Sequence, residues 1–172
     1  MSKLLLPLLL ASIGACGAPK GLLNLGVADL PDGSPLPARF GEDGGDASPE
    51  LRWSGAPPGT KAFAVTVEDP DAPAGVWIHW VAYDLPVSAG LAENRPRAAE
   101  LPGGGKQGLN SWGRLGWNGP APPPGKVHHY HFTVYALSAP TGLAPGMTIQ
   151  ALRQAMKGRV LAEGRWTGTY RR

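Results

Sequence analysis

Glycine and proline divide this chain into short segments, and no other feature of the sequence limits its fold as strongly. The 172 residues include 25 glycines and 19 prolines, residue types that supply the backbone angles of turns and interrupt helices. Such a share is typical of disorder when apolar residues are scarce. Here 42% of the residues are hydrophobic. The sequence therefore predicts one mainly β domain, built from short strands joined by turns.

The first sixteen residues have the features of an export signal. A basic start, an apolar run over Leu4–Ile13 and small residues precede Cys16. The run is far shorter than the roughly 20 residues that cross a bilayer as a helix. It resembles a bacterial lipoprotein signal at residues 1–15 with a lipid anchor on Cys16. The alternative is an ordinary signal cut near Ala15 or Ala18, which would give a soluble secreted protein.

Residues 16–35 lack a clear period and are interpreted as a tether, which leaves residues 36–172 for the folded domain. Strand-length segments separated by turns begin there, first at Leu36–Phe40 and then at Leu51–Gly55. Near the C-terminus, apolar residues at helical spacing predict a helix over Thr148–Glu163. Thr148 would cap this helix, and the glycine at position 164 would end it.

A hairpin is predicted in the middle of the chain. Phe63–Glu68 alternates between two faces, as a strand does. Trp77–Leu85 is mostly apolar on both faces, which indicates a central strand. The sequence DPDAP connects them, and because residues before proline adopt extended geometry, we expect a stiff connection.

That connection places two carboxylates between prolines, close in sequence to a histidine. Because a hairpin returns the start of its second strand toward the end of its first, we expect His79 near Asp69. Asp71 and Pro70 are assigned to holding the loop. Either aspartate could instead cap the turn through the backbone, and His79 could be a neutral histidine of the core.

A second group of polar residues follows a Pro- and Gly-rich segment, Gly119–Gly125, which we expect to be an exposed, semi-rigid loop. Val127–Leu137 then alternates like a strand, with His128 and Tyr130 on one face, about 6.6 Å apart. An imidazole N–H and a phenol O–H at this spacing could hold an oxyanion. Metal binding has less support, since the two histidines on the opposite face would make only a weak site.

These motifs resemble the phosphatidylethanolamine-binding protein family, in its bacterial Raf-kinase-inhibitor-like branch. The resemblance runs from about Leu36 to the C-terminus and depends on ASPELRWSGAPPGTKAFAVTVEDPDAPAG, WIHW and GPAPPPGKVHHYHFTVYAL. It implies an antiparallel, β-sandwich-like fold with a large sheet, a small sheet and one or two peripheral helices. It also implies a pocket for phosphorylated head groups or peptides, at Asp69, Pro73, Trp77, His79, Gly119, His128 and Tyr130.

In this pocket we expect Asp69 to orient the imidazole of His79 through a hydrogen bond. Its carboxylate would accept a hydrogen bond from one nitrogen of His79, so that the other nitrogen donates to the ligand. His128, Tyr130 and backbone N–H groups near Gly119 would complete a cup of donors.

The chain departs from the usual pattern of the branch around this pocket. His129 stands where relatives often have arginine, and because it faces away from Tyr130 we expect the pocket to survive. Trp112 and Trp117 replace phenylalanine and tyrosine, and Ala121 replaces a frequent cysteine. These changes alter the rim and so bear on ligand choice.

The sequence favours an exported, non-enzymatic protein without a cofactor, which binds phosphorylated or other small anionic ligands and could regulate a protein partner. One alternative is a hydrolase in which Asp69, His79 and His128 perform acid–base chemistry, although no serine or cysteine lies in a recognisable nucleophile elbow. Another is a protease-inhibitor-like module that docks through Gly119–Gly125 or the glycines at 103–105. With a formal net charge of only +3 and no basic patch, nucleic-acid binding is not expected.

Overall fold

The computed structural model describes residues 21–88 and 90–172, and these residues form nine strands and one α-helix. The helix, α1, spans Ile149–Met156. The strands are β1 (Gly21–Leu22), β2 (Asn24–Val27), β3 (Leu51–Ser54), β4 (Ala62–Asp69), β5 (Trp77–Leu85), β6 (Gly90–Leu91), β7 (Lys106–Gln107), β8 (Val127–Leu137) and β9 (Val160–Arg171).

The strands form a large and a small sheet. The large sheet has six strands in the order β1-β9-β8-β4-β5-β7, and the small sheet has three in the order β2-β3-β6. All neighbouring pairs are antiparallel except β1 and β9, which are parallel. The predicted fold, mainly β with a large sheet, a small sheet and a peripheral helix, is confirmed.

The large sheet is covered on both faces, which explains why β5 is apolar on both sides. Trp80 belongs to the core between the two sheets. Its neighbour Val81 points to the opposite face, where it joins a second core beneath α1. The helix contributes its buried side chains to that second core, namely Ile149, Leu152 and Met156.

The strands that carry the candidate site were predicted closely. The hairpin of β4 and β5 is antiparallel, with Asp69 opposite Trp77. Strand β8 has the predicted limits and lies between β4 and β9. One end of the large sheet therefore brings together the end of β4 and the beginnings of β5 and β8.

The C-terminal prediction was half right. Thr148 caps α1 by accepting the N–H of Ala151 at 3.3 Å, but the helix ends at Met156 and the chain turns at Gly158, whose φ is +72°. The end of the expected helix, from Val160 onward, belongs to β9, which pairs with β8 along its length. Gly164 lies inside this strand, where glycine is needed because a Cβ would stand 2.4 Å from the carbonyl oxygen of Leu23.

Two further expectations near the N-terminus were wrong. Residues 21–27, assigned to a tether, form β1 and β2, because their backbone groups pair with β9 and β3. Leu36–Phe40 is not a strand, since Ala38–Phe40 makes a 3₁₀ turn that buries the Phe40 ring completely. The predicted signal and Cys16 lie outside the described residues. In the described part of the chain, no helix is both long and apolar enough to span a membrane.

Candidate functional site

A cavity of about 310 Å³ opens at the end of the large sheet where β4 ends and β5 and β8 begin. Of the seven residues predicted to bind a ligand, all but Gly119 line it. The walls are mostly apolar, and no lysine or arginine of the described residues contributes to them. The lining consists of Asp69, Ala72, Pro73, Ala74, Trp77, His79, Trp112, Ala121, Pro122, Pro123, His128 and Tyr130.

Strand register brings the polar groups together. Glu68 of β4 is paired with His131 of β8, so Asp69, the next residue of β4, lies level with Tyr130. Because side chains alternate along a strand, His128 points to the same face as Tyr130. Both side chains are buried against the cavity.

Asp69 and His128 form a buried pair. Nδ1 of His128 donates to Oδ2 of Asp69 at 2.8 Å, and the two residues are 2% and 3% exposed. The other carboxylate oxygen accepts the backbone N–H of Asp71 at 2.8 Å. Asp69 therefore also caps the turn, which was the alternative role considered for it.

The expected hydrogen bond between Asp69 and His79 was wrong. Trp77 stands opposite Asp69, so His79 lies two residues farther along β5. Its Nδ1–H donates instead to the backbone oxygen of Asn118 at 2.6 Å. The N–H of Asn118 returns a hydrogen bond to the His79 carbonyl at 3.0 Å, and these two bonds fix the ring between a strand and a loop.

This arrangement leaves His79 neutral. Burial lowers the pKa of His79, and it outweighs the opposing effects of the Asn118 hydrogen bond and of the charges on Asp69 and Asp46. Since Nδ1 carries the proton, Nε2 is an unprotonated acceptor. The rings of Trp112 and Tyr130 contact the imidazole on either side, each with a centroid distance of 5.1 Å.

Tyr130 offers the opposite hydrogen-bonding character. Its hydroxyl is buried beside the Asp69 carboxylate and makes no hydrogen bond of normal geometry among the described residues. Burial raises the pKa of Tyr130, and the charge of Asp69 and the side-chain interaction with this carboxylate raise it further, so the phenol keeps its proton. A buried hydroxyl without a partner costs about 1–3 kcal/mol. The cavity thus contains a donor that a bound acceptor would satisfy.

Gly119 lies outside the cavity lining, and its own N–H does not point to a ligand there. Its N–H donates to Oδ1 of Asp46 at 2.7 Å. A Cβ at this position would stand 2.1 Å from the carbonyl oxygen of Phe40, so glycine is required for close packing. The segment from Gly119 to Gly125 is also less exposed than expected, because its residues before Pro123 are buried or, at Ala121, half-buried.

The loop between β4 and β5 is joined to β8 at a second point. Oδ2 of Asp71 accepts hydrogen bonds from the backbone N–H and Nδ1 of His129, at 2.8 and 2.7 Å. These bonds lower the pKa of Asp71. These two hydrogen bonds support the proposed role of Asp71 in holding the loop. Pro70 is exposed and lies outside the cavity.

Sequence reasoning missed several residues that shape the site. Asn118 and Asp46 support His79 and the 117–119 segment, but the Gly- and Asp-rich stretch around Asp46 indicated only a turn. Trp112 was expected to alter the rim, and it does line the cavity. Trp117 lies deeper, where its Nε1–H donates to the Phe40 carbonyl at 3.2 Å. In the described ranges, no cluster of three or more acidic, histidine or cysteine side chains is placed to hold a metal ion.

Comparisons with known proteins agree with this structure. A protein named UPF0098 protein from Methanothermobacter thermautotrophicus is 44% identical over 151 residues, which cover 87% of this chain and 99% of that protein. A Mycobacterium tuberculosis protein that carries lipoprotein in its name, LppC, is 37% identical over 142 residues, covering 80% of this chain and 68% of LppC.

Solved structures and a family model extend the comparison. The crystal structure of CT736 from Chlamydia trachomatis, described as a phosphatidylethanolamine-binding protein homologue, superposes with a TM-score of 0.80 at 34% identity. The superposition covers 89% of this chain and 99% of CT736. The family model for phosphatidylethanolamine-binding protein matches residues 27–171. On this match and the shared fold, the chain belongs to the phosphatidylethanolamine-binding protein family.

Proposed function

We propose that the cavity binds a small phosphorylated or otherwise anionic molecule without converting it chemically. The observation that carries this proposal is the buried Tyr130 hydroxyl, a proton donor that lines the cavity beside Asp69 and makes no hydrogen bond of normal geometry among the described residues. His128 lies on the same strand face and directs only Nδ1 toward Asp69. An oxyanion in the cavity would therefore accept a hydrogen bond from the Tyr130 hydroxyl, with the His128 ring beside it.

The same groups favour binding over hydrolysis. Histidine and aspartate could transfer protons, but within the described ranges no serine, threonine or cysteine lines the cavity as a nucleophile. The apolar walls, formed largely by proline, alanine and tryptophan, suit the organic part of a ligand. We therefore retain the non-enzymatic function.

We also propose that the protein is exported and anchored by a lipid on Cys16. The order of basic, apolar and small residues before this cysteine supports export. The likeness to the mycobacterial protein named as a lipoprotein supports the anchor.

Replacing Tyr130 by phenylalanine tests the binding proposal. Because the substitution removes one donor to a charged ligand, we expect phosphoethanolamine to bind at least about tenfold more weakly in calorimetric titrations. The unliganded variant should be as stable as the parent or more stable, since the lost hydroxyl had no partner. Equal affinity of the Tyr130→Phe variant and the parent would contradict the proposal.

Tyr83→Phe is the matched control. Its hydroxyl donates to the Ala144 carbonyl at 2.6 Å and accepts the N–H of Met147 at 3.3 Å, away from the cavity. This control should lose stability and keep its affinity, which is the reverse of the pattern expected for Tyr130→Phe.

A further inference from the structure

Two side chains of the cavity, Tyr130 and His79, present opposite hydrogen-bonding groups to a ligand. Tyr130 presents an O–H donor without a partner among the described residues. His79 presents the reverse, because the carbonyl of Asn118 can only accept and so places the imidazole proton on Nδ1. The Gly119 backbone also interacts with this ring and, like the Asn118 carbonyl, favours its protonated form. With the proton of the neutral ring on Nδ1, Nε2 keeps its lone pair and can accept from a proton donor.

Among the described residues, no carboxylate is hydrogen-bonded to the His79 ring, so a second proton on this ring would have no adjacent negative charge to balance it. Two carboxylates influence it, Asp69 at the end of β4 and Asp46 behind the 117–119 segment. Asp69, however, uses its oxygens for His128 and the turn, and Asp46 binds the N–H of Gly119 and the side chain of Arg97. The ring is also in contact with the Gly119 backbone and with the aromatic rings of Trp112 and Tyr130. His79 thus differs from His128, whose ring has its own carboxylate.

We propose, building on the proposed binding function, that the cavity selects a tetrahedral oxyanion that carries one proton, such as the monoanion of a phosphomonoester. One of its unprotonated oxygens accepts from Tyr130, and its P–OH donates to Nε2 of His79. A dianion, a phosphodiester and a sulfate ester all lack that proton. Each would bring an oxygen lone pair against the lone pair of His79, beside the negative charge of Asp69.

Three probes with the same aromatic group test this selection, namely phenyl phosphate, methyl phenyl phosphate and phenyl sulfate. At pH 5.5, where the phosphate monoanion predominates, we expect phenyl phosphate to bind about tenfold or more tightly than the other two. The second pKa of a phosphate monoester is about 6. Above it the affinity for phenyl phosphate should fall about tenfold per pH unit, because the monoanion becomes scarce.

Calorimetry in two buffers with different enthalpies of ionisation counts the protons. At pH 7.5 we expect close to one proton to be taken up per phenyl phosphate bound. If all three probes bind equally and without proton uptake, the selection is wrong while oxyanion binding stands. If none of them binds, the proposed binding function is wrong, and so is the proposed preference for a singly protonated oxyanion.

The His79→Gln variant tests whether His79 is the residue that accepts the proton of the bound phosphate. A glutamine amide can turn either its N–H or its C=O toward the ligand, so both the preference for phenyl phosphate and the proton uptake should be lost. His131→Gln is the matched control, because His131 lies on the other face of β8 and its Nδ1 contacts Thr167 Oγ1 at 3.0 Å. Proton uptake that persists in a folded His79→Gln variant, as judged by its melting curve, would overturn the assignment to His79.

Discussion

Asp69 joins three parts of the site through a single carboxylate. One oxygen holds the turn that follows β4, and the other orients the imidazole of His128 on β8. Asp71, only two residues away, binds His129 in the same manner but at the surface, where its side chain is 41% exposed. The DPD motif therefore contains two aspartate–histidine pairs that differ chiefly in burial.

Comparing Asp69→Ala with Asp71→Ala measures the effect of that burial. Removing one partner of a buried pair leaves the other without compensation, so we expect Asp69→Ala to lower the free energy of unfolding by about 3–5 kcal/mol. The exposed pair is screened by water, so Asp71→Ala should cost no more than about 1 kcal/mol. Urea denaturation at neutral pH gives both values. Similar losses for the two variants would show that burial does not distinguish the pairs.

The exposed pair also predicts a dependence on pH. The pKa of Asp71 is lowered in the folded protein, so its carboxylate stabilises the fold above the usual aspartate pKa of about 3.9. That stabilisation is lost as the pH falls through the lowered value. The difference in unfolding free energy between the parent and Asp71→Ala should thus shrink as the pH falls below about 4. A difference that grows as the pH falls from 5 to 3 would contradict this sign.

At the scale of elements, β8 and β9 show what local pattern can predict. The limits of β8 follow from strict alternation after a Pro- and Gly-rich segment, so the sequence sufficed. In β9 two of the inward positions are occupied by Gly164 and Gly168, which removes the apolar alternation. The apolar residues before them continue a helical spacing instead, and the expected helix ran too far.

The residues of the candidate site could be predicted from the sequence, but their hydrogen-bond partners could not. Asp69, His79, His128 and Tyr130 lie on strands whose alternation and order are visible in the sequence. Which imidazole meets the carboxylate depends on the register of β4 against both neighbours. The partner of His79 is Asn118, a loop residue 39 positions away, and no local pattern announces such a contact.

The substitution Gly164→Ala tests how closely Leu23 packs against β9. Alanine at this position would press against the carbonyl of Leu23, so we expect Gly164→Ala to destabilise the protein by about 1–3 kcal/mol. Gly26→Ala, in β2, is the control, because a Cβ there would lie 3.9 Å from its nearest neighbour, the Arg52 carbonyl. Its stability should be unchanged or slightly higher. Thermal unfolding of both variants provides the comparison, and equal melting temperatures would contradict the expected contact.

At the scale of the whole molecule, the large sheet separates a small sheet from a helix and carries the cavity at one end. The proposed lipid anchor belongs to this scale. Cys16 is the only cysteine of the sequence, so covalent labelling of a thiol or incorporation of a palmitate analogue reports on this residue alone.

We expect full-length protein expressed in a bacterium to sediment with membranes and to incorporate the palmitate analogue. The Cys16→Ser variant should lose the label and move to the soluble fraction, since a lipid is the proposed link to the bilayer. A parent protein that is soluble and unlabelled would favour the ordinary export signal.

The parallel pairing of β1 with β9 limits how near a lipid on Cys16 could come to the cavity. Gly21 is paired with Ala162, whereas Tyr170, eight residues farther along β9, stands opposite His128 beside the cavity. Eight residues of strand extend about 27 Å, while the five from Cys16 to Gly21 reach at most about 18 Å. The proposed lipid would therefore leave the chain at a distance from the cavity mouth, so anchoring and ligand entry would use separate parts of the molecule.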